Sequence, residues 1–303
     1  MEHLRIITKN HANPAYGGAL VGARAVARRM GCTFDHCAPK LADSPEEQSA
    51  LIDQAIADRP DAIVLLPAHA TGVNEAIART NAAGIPLVLI VSEPTAGHWV
   101  GFIGSDDTRM AASLAGALLP RLRADARVAI IDGHPGSITT PQRRRGFEQA
   151  VSRYPGMRLV DVVSGDYQHA PGREAALTLL SRHARLDAIL SANDLMAMGA
   201  LEAFAEKERH VPMVSINGTP DAIAAVRAGR LAATASFNTH RFGCLAVEMA
   251  LRHLRGERVP RRIDLAPDII DSANAAEWDR PYEQRPCPEW DQVIAAQAEP
   301  TAA

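Results

Sequence analysis

Asn217 closes the apolar run Val214–Ile216, and a helix signature follows at once: Gly218 for a tight turn, Thr219 as N-cap, Pro220 at the first helical position and Asp221 in the first turn. Asn193 stands in the same grammar, after Ala188–Ser191 and before a helix that Asp194 opens. Two strand ends that both carry an asparagine pose a choice between catalysis and binding. Other side chains fall at equivalent places. Lys9, Asn13 and Tyr16 follow the first apolar run, and Val91, Ser92 and Glu93 lie at and beyond the end of LVLIV. Arg143, Tyr167, Phe237 and Asn238 belong to the second half of the chain. Amides and a guanidinium present fixed forks of donors and acceptors that match vicinal hydroxyls. Aromatic faces suit the C–H side of a sugar or polyol. Any one of these asparagines also reads as a turn or capping residue. The set as a whole points to a site for a polar ligand.

Catalytic motifs are absent: the chain has no HExxH, GxSxG, GxxxxGK or strand-following GxGxxG. Its eleven histidines are scattered, and His36, His69, His134 and His169 show no ligand spacing. The adjacent pair Asp106–Asp107 reads as helix capping, with Asp107 or Thr108 as the cap. GHPGS (133–137) is a turn whose amides would suit an anion. No catalytic residue, metal or cofactor is therefore expected. A net charge of −3 and a pI of about 6.4 argue against nucleic acid as the partner. No apolar run reaches the roughly 18 residues that cross a bilayer, and MEHLRIITKN carries no secretory h-region. The four cysteines form no CxxC pair. Cys32 and Cys37 flank an extended stretch that holds them apart, so isolated packing or surface thiols are expected.

The elements that must position these residues alternate regularly, which signals α/β architecture with parallel sheets. Strands are expected at Leu4–Thr8, Thr33–His36, Ala62–Leu66, Leu87–Val91 and Val100–Ile103. A second series follows at Val128–Ile131, Leu159–Val163, Ala188–Ser191, Met213–Ile216 and Ala232–Ser236. Helices separate them, including Ala15–Met30, one opened by Ser44-Pro45 with Glu47 closing a capping box, and Arg241–Arg255. IDLAPDII reads as extended chain. Fully apolar strands such as AIVLL fit sheets covered on both faces. Two successive units of similar size result, with no Gly/Ser-rich linker. A Pro-rich and then Ala-rich tail follows, its last few residues expected to be mobile.

NPAYGGALVGA, IGSDDTRMAASLAG, QRRRGFEQAV, ANDLMAMGAL, NGTPDAIAAVRAGRLAAT and GERV, in this order and spacing, resemble the type I periplasmic solute-binding proteins of ABC importers, especially the ribose-binding branch. The likeness runs from residue 4 to about 270. It implies two Rossmann-like lobes with parallel sheets, joined by three hinge crossovers near Gly104–Asp107, Ser236–Asn238 and Ala266–Ile270 and closing on a sugar. The implied division is 1–105 plus 238–268 for the N-terminal lobe, 106–237 plus 269–285 for the C-terminal lobe, and 286–303 as a tail. The resemblance also implies a non-enzymatic, monomeric periplasmic protein whose leader has been removed. Its partners would be a sugar or polyol and a membrane permease complex, with no nucleic acid. The effector domain of a lactose-repressor-type regulator shares this fold and is the second reading.

Residue by residue, the resemblance makes Asn13 and Tyr16 ligand contacts, Tyr16 and Tyr167 stacking aromatics, and Arg143 and Asn193 hydroxyl binders. Asn217 takes a place where the family usually has aspartate. Val91-Ser92 replaces an Asp-Arg pair, Phe237 stands for a glutamine, and Lys9 for a small residue. The implied site is Lys9, Asn13, Tyr16, Ser92, Glu93, Arg143, Tyr167, Asn193, Asn217 and Phe237. These departures point away from ribose. Compensation for Lys9 or Arg143 is expected from Glu93, which would fit a neutral sugar or polyol, or from the ligand itself, which would then be a sugar acid; the neutral ligand is the leading expectation.

Overall fold

The computed structural model describes residues 1–298. The apolar runs become strands and the amphipathic stretches helices, in this order: β1 (His3–Ile7), α1 (Pro14–Met30), β2 (Thr33–Cys37), α2 (Pro45–Asp58), β3 (Ala62–Leu65), α3 (Asn74–Ala82), β4 (Leu87–Ile90) and β5 (Gly101–Gly104). Then come α4 (Asp107–Gly116), β6 (Arg127–Asp132), α5 (Thr139–Ser152), β7 (Arg158–Ser164), α6 (His169–Arg182), β8 (Ala188–Ser191), α7 (Asp194–Glu206), β9 (Met213–Ile216), α8 (Pro220–Arg227) and β10 (Ala233–Ser236). The chain finishes with α9 (Thr239–Leu254), β11 (Arg262–Asp264), β12 (Asp268–Asp271), α10 (Ala275–Trp278) and α11 (Trp290–Ala298).

Two compact units divide these elements. The first comprises Met1–Ser105, Thr239–Leu265 and the chain from Pro281; the second comprises Asp106–Asn238 and Ala266–Arg280. Each holds a six-stranded sheet, ordered β11-β5-β4-β3-β1-β2 and β12-β10-β9-β8-β6-β7. All pairings are parallel except β10 with β12. β3, β4, β8 and β9 are buried along their whole length, because helices cover both faces. In both sheets the order turns back beside the first strand of the unit, at β1/β3 and β6/β8. In open α/β sheets that switch point, at the carboxyl strand ends, is where ligands bind.

The chain passes between units after Ser105, Asn238, Leu265 and Arg280. The last passage was not among the three read from the sequence. Beyond it, residues 281–285, expected in the second lobe, and residues 286–298, expected as part of a tail, belong to the first unit. Contacts with α1 and α9 fasten this segment. The Tyr282 ring occupies the space where a Cβ on Gly18 of α1 would sit. Trp290 is buried with the Arg252 guanidinium 5.1 Å from its ring centroid. Cys287 is disulfide-bonded to Cys244 of α9, with Cα atoms 5.9 Å apart. That bond overturns the expectation of isolated thiols for two of the four cysteines; Cys32 and Cys37 are free. The pair lies 43 residues apart, and folding rather than local spacing brings it together. The mobility expected of the last few residues concerns 299–303, which lie outside the described residues.

Local signals held unevenly. Ser44 caps α2 by accepting from the Glu47 amide at 3.2 Å. The Glu47 carboxylate, however, accepts from the amides of Lys40 and Leu41 instead of closing a capping box. It ties down the preceding loop, whose amides otherwise face solvent. At α4 the cap is Asp106, accepting from the Arg109 amide at 2.9 Å, not Asp107 or Thr108. That leaves Asp107 available for another partner.

Candidate functional site

Arg143 organises the strand-end residues of the second unit. It lies on the inward face of α5 and is 4% exposed. Its Nε donates to Asp107 Oδ1 at 2.6 Å and its Nη1 to the Ala192 carbonyl at 2.6 Å. Asp107 is itself 5% exposed, so this is a buried ion pair rather than a surface one. The guanidinium carbon lies 5.8 Å from the Tyr167 ring centroid and 5.6 Å from that of Phe237. Two aromatic faces and a charge-compensated fork of donors are therefore assembled around one point.

The backbone carries conformational cost to put Tyr167 there. Asp166 and Tyr167 are both left-handed, with φ of 55° and 59°. Gly133 makes room for the ring, since a Cβ there would collide with it. The phenol oxygen lies 2.9 Å from Thr139 Oγ1 and 3.2 Å from Thr140 Oγ1. The GHPGS turn thus seats an aromatic ring through its first glycine. Asn193 joins the same loop: Nδ2 donates to the Tyr167 carbonyl at 3.0 Å, while Oδ1 caps α7 by accepting from the Met196 amide at 2.9 Å. Capping and site construction coincide in this one asparagine.

Asn217 sits at the end of β9, 4% exposed, with its amide donating to the Ala235 carbonyl at 2.8 Å. Its φ of 144° is a conformation other residues than glycine seldom adopt. Capping of α8 belongs to Thr219, as its position after Gly218 suggested. Beneath these loops, Asp194 is fully buried and accepts from Ser215 Oγ, the Thr219 amide and hydroxyl, and Thr234 Oγ1. Burial pushes its carboxyl above the usual range despite those four donors. It knits β8, β9, β10 and α8 together behind the site. Asp132, at the end of β6, is likewise pushed up by burial although Arg144 Nε donates to it at 2.6 Å.

The first unit gathers fewer groups. Lys9, 4% exposed, donates from Nζ to Ser92 Oγ at 3.1 Å, bringing together the residues after β1 and β4. Val91 between them is left-handed at φ 69°, which turns the chain out of β4. Asn13 caps α1, accepting from the Ala15 amide at 3.0 Å, and its own amide donates to Asn10 Oδ1 at 2.9 Å. Asn10 in turn donates to Asp43 Oδ1 at 3.1 Å. Tyr16 is part-exposed in the first turn of α1. Glu93 does not serve Lys9. It forms an ion pair with Arg262 of β11, whose Nε also reaches Asp264 Oδ2 at 2.6 Å and whose guanidinium lies 4.7 Å from the Phe102 centroid.

Three supporting residues escaped the sequence reading. Asp107 looked like a cap and Asp194 like a helix-start acid, while nothing singled out Asn10. A signal existed for Asp194 alone: the hydroxyls that bind it, Ser215, Thr219 and Thr234, recur along the neighbouring strand ends.

The Periplasmic binding protein domain model matches residues 5–258. The ribose import binding protein of Bacillus subtilis (strain 168) is 28% identical over 217 residues, covering 72% of this chain and 70% of that protein. The D-apiose import binding protein of Paraburkholderia graminis is 28% identical over 280 residues, 91% of this chain and 89% of that one. Among solved structures, an ABC transporter solute binding protein from Mycobacterium smegmatis with bound glycerol superposes with a TM-score of 0.85 at 27% identity, covering 91% of this chain and 96% of that chain.

Proposed function

The chain belongs to the periplasmic binding protein family, and from that membership we propose that it captures a small neutral sugar or polyol and hands it to the membrane permease of an ABC importer. The observation that carries the reading is the cluster of Arg143, Tyr167 and Phe237 at the carboxyl strand ends of the second unit. It supplies hydroxyl donors between two ring faces, and the residues around it form no nucleophile–base pair. We assign Asn193 and Asn217 to the same cluster, and Lys9, Asn13, Tyr16 and Ser92 to a second cluster in the first unit. Glu93 acts there through Arg262 rather than on the ligand.

The Arg143–Asp107 pair supports a neutral ligand, although Glu93, engaged by Arg262, does not supply the compensation expected of it. Asp107 compensates Arg143 inside the unit, so an anionic ligand gains little from that guanidinium. A non-enzymatic role, action as a monomer and independence from nucleic acid go with this reading. So does an oxidising compartment such as the periplasm, where a disulfide like Cys244–Cys287 persists. The import binding proteins named above, none of them described as a regulator, favour transport over the lactose-repressor-type alternative.

The test is a thermal-shift screen of the full chain against sugars, polyols and sugar acids. A ligand that binds only the folded state raises the melting temperature, by an amount that grows with its concentration. Saturable shifts with neutral compounds are expected. A panel that leaves the melting temperature unmoved removes the proposal.

A further inference from the structure

The segment from Pro281 brings Cys287 against α9, where His240 and Cys244 stand four residues apart on one face. The donor atoms of these three residues all lie within 4.8 Å of one another, with Cys244 Sγ 3.9 Å from His240 Nδ1. Two thiolates and an imidazole around one metal ion at bond lengths of about 2.0–2.3 Å stand roughly 3.3–3.8 Å apart, so modest movement separates this cluster from a coordination sphere. His240 and Cys244 lie in a buried helix, whereas Cys287 is part-buried in irregular chain. The geometry points to His240, Cys244 and Cys287 as a second ligand site, on the first unit, which takes a soft monovalent cation such as Cu(I) once the disulfide is reduced.

Donor softness and charge select the ion. Thiolate sulfur favours Cu(I) and Zn(II) over hard cations. A pocket of about 320 Å³ adjoins the cluster and is lined by Arg24, Arg28, Arg29 and Arg285, with Glu283 the one carboxylate among its lining residues. Two thiolates with Zn(II) leave a neutral centre, while with Cu(I) they leave one negative charge for the guanidiniums to offset. Arg29 is partly engaged by Glu248 at 2.5 Å, which reduces this field without cancelling it.

The reduction balances as a thiol–disulfide exchange. A dithiol protein or small dithiol supplies two electrons and two protons and leaves as its own disulfide; Cu(I) then displaces the protons from the two thiols. The C-terminal segment is thereby held to α9 in either state, by a sulfur–sulfur bond or through the metal.

The experiment titrates the reduced full chain with Cu(I) under anaerobic conditions, against a competing chelator, and reads thiol alkylation cysteine by cysteine. One Cu(I) per chain is expected, with labelling of Cys244 and Cys287 slowed at least tenfold and part-exposed Cys37 labelling at its metal-free rate. Zn(II) should protect less. His240→Asn should weaken Cu(I) retention about tenfold while leaving the metal-free labelling of both thiols unchanged. Unprotected Cys244 and Cys287 in the wild-type chain, or equal binding by a Cys244→Ser/Cys287→Ser variant, would overturn the site. Stronger protection by Zn(II) would overturn the monovalent assignment. The wild-type labelling requires no variant to fold.

Discussion

The two units share a sheet order but treat charge at their strand ends differently. In the second, Arg143 and Asp107 form an ion pair sealed from water, with aromatic rings and a strained loop built around it. In the first, Glu93 and Arg262 pair at the part-exposed edge strand, and Lys9 is held by a neutral hydroxyl. The contrast teaches that the second unit's cluster is preformed and expensive to disturb. The other is assembled from caps and short loops whose residues serve the helix starts as well. Burial accounts for their different rigidity.

The largest effect expected is that of Arg143→Ala. Removing it leaves Asp107 buried without its cation, which costs about 3–5 kcal/mol. Urea denaturation decides, because the midpoint of the second unit's transition should fall clearly with its slope unchanged. An unaltered midpoint would make the two units alike. Next comes Cys287→Ser, aimed at the first unit, whose C-terminal segment is fastened covalently. Loss of a native cross-link typically costs about 2–4 kcal/mol, so the first unit's transition should shift and the second's should not. A shift confined to the second unit would break the assignment of this segment.

The smallest effect is a contrast in pH dependence. Glu2 accepts from Arg255 Nε at 2.8 Å, and that hydrogen bond lowers its pKa to about 2. A carboxyl depressed in the folded state adds stability above its ordinary value, and this share is lost as pH falls from about 4.5 towards about 2. The pair is solvent-screened, so Glu2→Gln should remove no more than about 1 kcal/mol, most of it lost by pH 2 and the remainder below that. Asp132 and Asp194 of the second unit run the other way. Their raised pKa means the folded state keeps protons longer, so their share of stability is lost as pH rises through the shifted values. Comparing Glu2→Gln with Asp194→Asn across pH 2–7 should give slopes of opposite sign, and slopes of the same sign would contradict the burial argument.

Strand and helix positions were legible because period and punctuation are local properties. Ala188–Ser191 and Met213–Ile216 were found to the residue, since Asn193 and Gly218-Thr219 mark where each run must stop. What stayed hidden depends on partners that lie outside the local pattern. Glu47 looked like half of a capping box because its spacing from Ser44 is right, yet the loop at Lys40 offered it better donors. Asp106 and Asp107 are indistinguishable as caps until α5 brings Arg143 to the second of them. The disulfide lies in the same class: 43 residues separate its cysteines, and no local pattern joins them.

The central claim is that a cluster whose charge is already compensated takes a neutral polyhydroxy ligand. Calorimetric titration of the full chain with the best neutral compound from the thermal screen and with its matched aldonate, each at low and at high salt, tests it most directly. The account predicts tighter binding of the neutral compound, with an affinity that salt hardly changes. Tighter binding of the aldonate, weakening steeply as added salt shortens the screening length to about 10 Å and below, would contradict it.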